Sequence, residues 1–252
     1  AGGRAPADLP ALVACSGLSP PSRSPPQPSM SRDLTAPLTA ETQAALTPAA
    51  VLQLMKDGNR RFLAAEPVER DFLAQVRATA AGQYPMAAIL GCIDSRVPHE
   101  IIFDKGVGDV FSARVAGNFV NTDILGSLEF ATAVAGSKLI VVLGHTECGA
   151  VKGACDHVTL GNLTSTLANI APAIYAIDDL GGERTSANRD YVQAVADENV
   201  HQTVQNMVDR SVVLRGLVAS GDLAIVGAMH DVATGVVTFF EDQMLTAESL
   251  AD

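Results

Sequence analysis

The sequence predicts an α/β fold: a mainly parallel central β-sheet flanked by helices, with an N-terminal helical arm and a C-terminal antiparallel hairpin. Three observations carry this prediction. Strand-like stretches recur at Met86 to Leu90, Asp109 to Ala113, 138 to 143 and 223 to 229, with helical patterns between them. That β-α-β order favours right-handed crossovers and parallel pairing. Two of these strands also end in polar, metal-competent stretches, Gly91-Cys92-Ile93-Asp94-Ser95-Arg96 and Gly144-His145-Thr146-Glu147-Cys148-Gly149. Ligands of open parallel sheets gather beyond the strands' carboxyl ends, which is where these side chains are placed.

Composition bounds the rest. A chain of 252 residues, 48% hydrophobic and 18% charged, can bury a large core, most simply as one α/β domain with appendages. Seventeen basic against 28 acidic side chains give a net charge of −11, which disfavours nucleic acid or an anionic membrane as partner. No apolar run reaches the roughly 18 residues that a membrane span needs. Four cysteines, Cys15, Cys92, Cys148 and Cys155, are too few for a disulfide framework in a chain this long. Reducing conditions and a cytoplasmic location are therefore expected.

Residues 1–36 read as a flexible segment, because the Pro- and Ser-rich run at 19–28 cannot build a core. Leu12-Val13-Ala14-Cys15 has the form of a lipoprotein cleavage box, but Asp8 and Pro10 interrupt the apolar run that should precede it. Lipid anchoring or organelle targeting through this segment are the alternatives to a cytoplasmic chain, and Met30 is an alternative start. Residues 37–252 read as a single domain.

Regular structure is expected from Thr47, an N-cap followed by Pro48 at N1, with Val51, Leu54, Met55 and Phe62 at helical spacing through Val51 to Ala65. A weaker helix runs from Phe72 to Ala80, and Gly82 breaks it before the first strand. Val97-Pro98 opens a short helix with Ile101, Ile102 and Phe103 as its apolar face. After the strand ending at Arg114, the loop 114–118 uses Gly117 for tight backbone geometry. Thr122 or Asp123 caps a helix carrying Leu125, Leu128, Phe130 and Val134, closed by Gly136. Cys148 to Cys155, Leu163 to Ile177 and Asn188 to Arg215 read as helices, the last with Val192, Val195, Val204, Met207 and Val208 as an apolar stripe. Thr234-Gly235 reads as a hairpin turn into Val236 to Phe240, and the last ten residues as a short exposed or partner-facing arm.

Cys92, His145 and Cys148 supply two thiolates and one imidazole, a set that suits Zn²⁺ better than Mg²⁺ or Ca²⁺. Three strong ligands leave a fourth position, which catalytic zinc sites keep for water with a pKa lowered to about 7. Asp94 is placed to close that position. Arg96 competes for it, since a bidentate guanidinium–carboxylate pair holds the carboxylate off the metal and leaves it to accept a proton. The Cys-x-Asp-x-Arg spacing thus allows an open or a closed site.

These motifs, Cys92-Ile93-Asp94-Ser95-Arg96 and His145-Thr146-Glu147-Cys148, resemble those of the β-class carbonic anhydrases. The resemblance extends over roughly residues 48–241 and includes Gly58-Asn59-Arg60-Arg61-Phe62, Ser95-Arg96-Val97-Pro98, Gly108-Asp109-Val110-Phe111 and Arg114-Val115-Ala116-Gly117-Asn118. It implies reversible hydration of CO₂ to bicarbonate and a proton, one Zn²⁺ per chain, and a homodimer as the basic unit, often assembled into a tetramer. It also implies a substrate pocket in which Gln83 holds bicarbonate, Phe111 and Phe130 form an apolar cleft and Gly149 follows the last ligand, with pocket residues crossing the dimer interface.

One departure from the family pattern is informative. Bicarbonate-regulated members hold that anion at a non-catalytic site built from Trp, Arg and Tyr; the corresponding positions here are Ile89, Arg114 and His230. Only the Arg remains, so the open form is expected, with Asp94 paired to Arg96. Two alternatives stay beside this reading: a CS₂ or COS hydrolase on the same scaffold, and a non-catalytic assembly protein with a closed Cys₂His-Asp zinc. His99, His157 and His201 are expected to be exposed or solvated, and Cys155 to be core. His230 and Asp231 should face opposite ways along a strand.

Overall fold

Alternation along the strands gives the sheet two apolar faces, and the helices divide between them. The structure, a computed structural model, describes residues 33–178 and 181–251. The readings made for residues 1–32, including Cys15 and the Pro- and Ser-rich run, lie outside the described residues. Among these, the strands are β1 (Ala87–Gly91), β2 (Val110–Arg114), β3 (Leu139–His145), β4 (Ala224–His230) and β5 (Val237–Phe239), in the order β2-β1-β3-β4-β5. The pairs β1–β2, β1–β3 and β3–β4 are parallel and β4–β5 is antiparallel, which bears out the predicted sheet and its hairpin.

The helices are α1 (Ala40–Ala44), α2 (Pro48–Ala64), α3 (Phe72–Thr79), α4 (His99–Ile102), α5 (Thr122–Glu129), α6 (Gly149–Cys155), α7 (Gly161–Leu167), α8 (Ala171–Ala176), α9 (Arg189–Arg210) and α10 (Val212–Ala219). One apolar layer joins Ala87, Ile89, Leu139, Val141 and Leu143 to Val51, Leu52 and Met55 of α2 and to Ile102 and Phe103 at α4. The other joins Ala88, Leu90, Ile140 and Val142 to Leu125, Leu128, Val151 and the inner stripe of α9. Each fully buried Leu or Ile contributes about 1.5–3 kcal/mol. Strands β1, β3 and β4 are buried along their whole length, as expected where both faces are covered.

Several elements differ from the sequence reading. α1 was not anticipated; a capping box between Thr39 and Thr42 starts it. The helix expected over Leu163 to Ile177 is two, α7 and α8, because Pro172 sits in the first turn of α8 and has no N–H to continue a preceding helix. The helix expected over Asn188 to Arg215 breaks at Ser211, whose backbone is extended and whose side chain caps the N–H of Leu214. Ser211 Oγ also donates to Glu129, so the break is tied to α5. Beyond α5 a π-turn, Phe130–Val134, leaves Phe130 and Val134 exposed, not on an apolar inner face. Ile101 is likewise exposed, since the four residues of α4 turn His99 and Ile102 inward. The C-terminal arm folds back: Leu245 exchanges two backbone hydrogen bonds with Ile225, and Leu245 and Leu250 pack on the core.

Candidate metal centre

The parallel register puts Gly91 opposite Leu143, so β1 and β3 end side by side and their following residues converge. Cys92 is the first residue past β1. His145 is the last of β3, a two-residue turn follows, and Cys148 stands at the N-cap of α6. Within that turn Glu147 has φ +57°, a left-handed conformation that reverses the chain so that Cys148 comes back beside His145. The sulfurs of Cys92 and Cys148 lie 3.9 Å apart, and the donor atoms of Cys92, His145 and Cys148 all fall within 4.8 Å of one another in a buried setting.

The donor set fits a zinc ion on observations of this structure. His145 Nδ1 lies 2.9 Å from the Thr146 carbonyl oxygen, an acceptor only, so that nitrogen donates and Nε2 carries the lone pair. Nε2 is buried and has no hydrogen-bond partner. The Cys92 thiol is lowered by its hydrogen bond with Cys148, against burial, with His145 and the N–H groups of Gly117 and Asp94 adding to the effect. The Cys148 thiol is raised by that same neighbour and by burial. A dication is what lets two such close sulfurs both ionise.

Asp94 and Arg96 form a closed pair beside this cluster. Arg96 Nε and its backbone N–H each donate to Asp94 Oδ1 at 2.9 Å, and Nη2 donates to Oδ2 at 2.7 Å. These bonds hold the Asp94 carboxyl well below the usual carboxylate range. Arg96 also reaches the Glu147 carbonyl at 3.3 Å, which links the two strand ends. Asp94 Oδ2 stands 3.9 Å from His145 Nε2. Arg114 donates to the Cys92 carbonyl at 2.9 Å and to the Asp94 carbonyl at 2.6 Å, bracing the loop from β2.

Of the predicted site residues, the structure brings Cys92, Asp94, Arg96, His145 and Cys148 together, with Gly149 next in chain and open space where its side chain would be. Phe111 and Phe130 meet edge to face at 6.2 Å in a separate cleft of about 770 Å³ that Ile124 and Leu128 also line. Gln83 is exposed and precedes β1, so the strand's length of roughly 16 Å separates it from Cys92 of its own chain. Two contacts escaped sequence reasoning. The N–H of Gly117 points at Cys92 Sγ, 3.4 Å away, and the Glu147 carboxylate pairs with Arg189 and Lys152 outside the turn. Gly117 stood out for its freedom of geometry, but nothing in the sequence assigns its N–H to a sulfur.

The histidine expectations need one correction. His99 is not exposed: its ring lies against Gly91, whose missing side chain makes the room, and Nδ1 meets Ser112 Oγ at 2.7 Å. Burial pushes its pKa down to about 3, with the charges of Arg114 and His230 adding. His157 is exposed, while His201 is half-buried against Phe240. Cys155 is core, and His230 is buried while its neighbour Asp231 faces outward. Ile89 is wholly buried within β1, and His230 Nδ1 has no partner.

Comparison with known proteins converges with this geometry. The family model described as carbonic anhydrase matches residues 87–237. Carbonic anhydrase 2 of Mycobacterium tuberculosis is 40% identical over 194 residues, covering 75% of this chain and 90% of that protein. The carbonic anhydrase of Mycolicibacterium smegmatis is 37% identical over 196 residues, covering 75% and 92%. Among solved structures, a tetrameric β-carbonic anhydrase of Sordaria macrospora superimposes with a TM-score of 0.56 at 28% identity, covering 66% of this chain and 85% of that one. The chain belongs to the β-class carbonic anhydrase family. Its enzyme class is that of a carbonic anhydrase, and the family's general reaction is the hydration of carbon dioxide. No helix among the described residues is long and apolar enough to cross a membrane.

Proposed function

We propose that this protein is a zinc-dependent carbonic anhydrase in the open form, with Cys92, His145 and Cys148 as the metal ligands and Asp94–Arg96 as the dyad that leaves the fourth position free. The observation that carries the reading is that both Asp94 oxygens are engaged by Arg96 while the donor atoms of Cys92, His145 and Cys148 converge beside them. Bound there, zinc supplies Lewis acidity that makes a hydroxide nucleophile available near neutral pH. Asp94 stays ionised under Arg96 and is therefore acceptor only; it would accept a hydrogen bond from the nucleophile's O–H and so orient it. Arg96 fixes the carboxylate plane with two parallel hydrogen bonds and ties it to the Glu147 carbonyl, so the acceptor cannot swing freely toward the ligands.

Substrate handling falls to Gln83, Phe111, Phe130 and Gly149. Phe111 and Phe130 offer an apolar surface for a neutral, linear molecule, and the Gln83 amide offers donors for the anionic product. Gln83 sits a strand length from its own Cys92 and is exposed, which supports its serving a neighbouring subunit's centre and makes a homodimer the working unit. The Sordaria structure is described as tetrameric, in keeping with a dimer that pairs again.

Stopped-flow CO₂ hydration, with and without a zinc chelator, tests the reading. The expected result is rapid turnover that disappears with the metal and returns when zinc is restored. A fully zinc-loaded, correctly folded protein without activity would sink it and leave a metal-stapled assembly protein.

A further inference from the structure

The Cys92 sulfur receives a backbone N–H whose direction is set from another part of the molecule. Gly117 N lies 3.4 Å from Cys92 Sγ, with both residues out of solvent. Gly117 has φ +88°, and a Cβ there would stand 2.6 Å from Ile170 Cδ1, so only glycine fits. A glycine's backbone is permissive, however, and does not hold itself in one conformation; the restraint must come from outside. Asn199, buried in the middle of α9, provides it by donating from Nδ2 to the Gly117 carbonyl at 2.8 Å. The turn is braced below by Asn118 N–H donating to the Val115 carbonyl.

We propose that Asn199 and Gly117 are positioning residues for Cys92: Asn199 holds the Gly117 carbonyl, which keeps the Gly117 N–H on the Cys92 sulfur and limits the charge that this sulfur gives a bound zinc. The inference rests on the metal reading above and deepens it. A hydrogen bond to a thiolate draws electron density away from the metal, and outer contacts of this kind set the electronic character of a centre as well as its geometry. The long helix α9, remote from the ligands in sequence, thereby tunes one of them.

The test uses the full chain loaded with Co²⁺ in place of zinc, whose thiolate-to-cobalt charge-transfer band reports the energy of the sulfur lone pairs. Asn199→Leu keeps the size and removes the donor. Asn199→Ala withdraws the same donor without adding bulk, so it serves if the first variant fails to fold. Both are expected to move the band to longer wavelength, because the sulfur lone pairs rise without the hydrogen bond. Thr203→Val, equally buried on the same helix, should leave the band in place. An unmoved band in Asn199→Leu, or an equal shift in Thr203→Val, overturns the positioning role. A wild-type protein that takes up Co²⁺ without any thiolate band overturns the metal reading and this inference together.

Discussion

The two strand ends that make the candidate centre are built in opposite ways. Past β1, the segment Cys92 to Arg96 is held by side chains: Arg96 clamps Asp94, Arg114 braces two carbonyls, and His99 fills the space beside Gly91. Past β3, the segment His145 to Cys148 is held by backbone: a left-handed Glu147, a ring nitrogen bonded to the next carbonyl, and an N-cap position for Cys148. In the first half a carboxylate, Asp94, stands beside the converging donors, 3.9 Å from His145 Nε2, whereas in the second the Glu147 carboxylate turns away to Arg189 and Lys152. The difference teaches that of the two carboxylates beside the cluster, only the one on the β1 side faces the three donors.

Substitutions can break or sharpen that contrast, starting with the largest effect. Cys92→Ser should lose both zinc, measured by metal content after desalting, and turnover, which falls to the uncatalysed background. Asp94→Asn should keep zinc at one per chain and lower kcat by about 10²–10⁴, the usual contribution of a positioned proton acceptor. If Asp94→Asn loses zinc as fully as Cys92→Ser, Asp94 is a ligand and the β1 side is as fixed as the β3 side.

The glycines before the two ligands give a finer comparison through stability. A Cβ at Gly91 would stand 2.1 Å from His99 Nε2, a buried ring anchored by Ser112 and unable to retreat. A Cβ at Gly144 would meet Val200 Cγ2 at 2.6 Å and the flexible end of Met229, Cε, at 2.8 Å. Gly91→Ala should therefore cost about 3 kcal/mol and Gly144→Ala about 1–2 kcal/mol in urea unfolding. Equal costs would show that the side chains around β1 yield as easily as those around β3.

The last comparison concerns acid. Burial alone would raise the Asp104 carboxyl, at the exit of α4, but hydrogen bonds from Arg70 and Arg61 and the Val68 N–H hold it below the ordinary range. A folded pKa below the unfolded value of about 3.9 means that this stabilisation is complete above pH 4 and is lost as pH falls further. Asp104→Asn should lower Tm near neutral pH and flatten the acid limb of the pH–stability curve; an unchanged acid limb would remove Asp104 from that role.

Much of the fold was legible because its signals are local. The buried runs before Cys92 and His145, Thr47-Pro48 opening α2 and the Thr234-Gly235 turn each carry their own chemistry over a few residues. The helix breaks at Ser211 and before Pro172 were harder: an apolar stripe continues across both, and the deciding features were a single cap bonded to Glu129 and a single missing N–H. His99 was misjudged because its burial depends on the absence of a side chain at Gly91, a partner eight positions away in sequence at the end of an interior strand.

By itself, the sequence determined the candidate donor types, their spacing and the alternation that makes strand ends of both halves, since these are properties of neighbouring residues. Only the tertiary structure decided that Cys92, His145 and Cys148 meet, that Arg96 has both Asp94 oxygens, and that a glycine N–H restrained from α9 reaches the Cys92 sulfur. The physical reason is range. Backbone preference and hydrophobic period act over a few residues, whereas metal donors and their hydrogen bonds are distances of 3–4 Å between segments that the parallel register alone brings side by side.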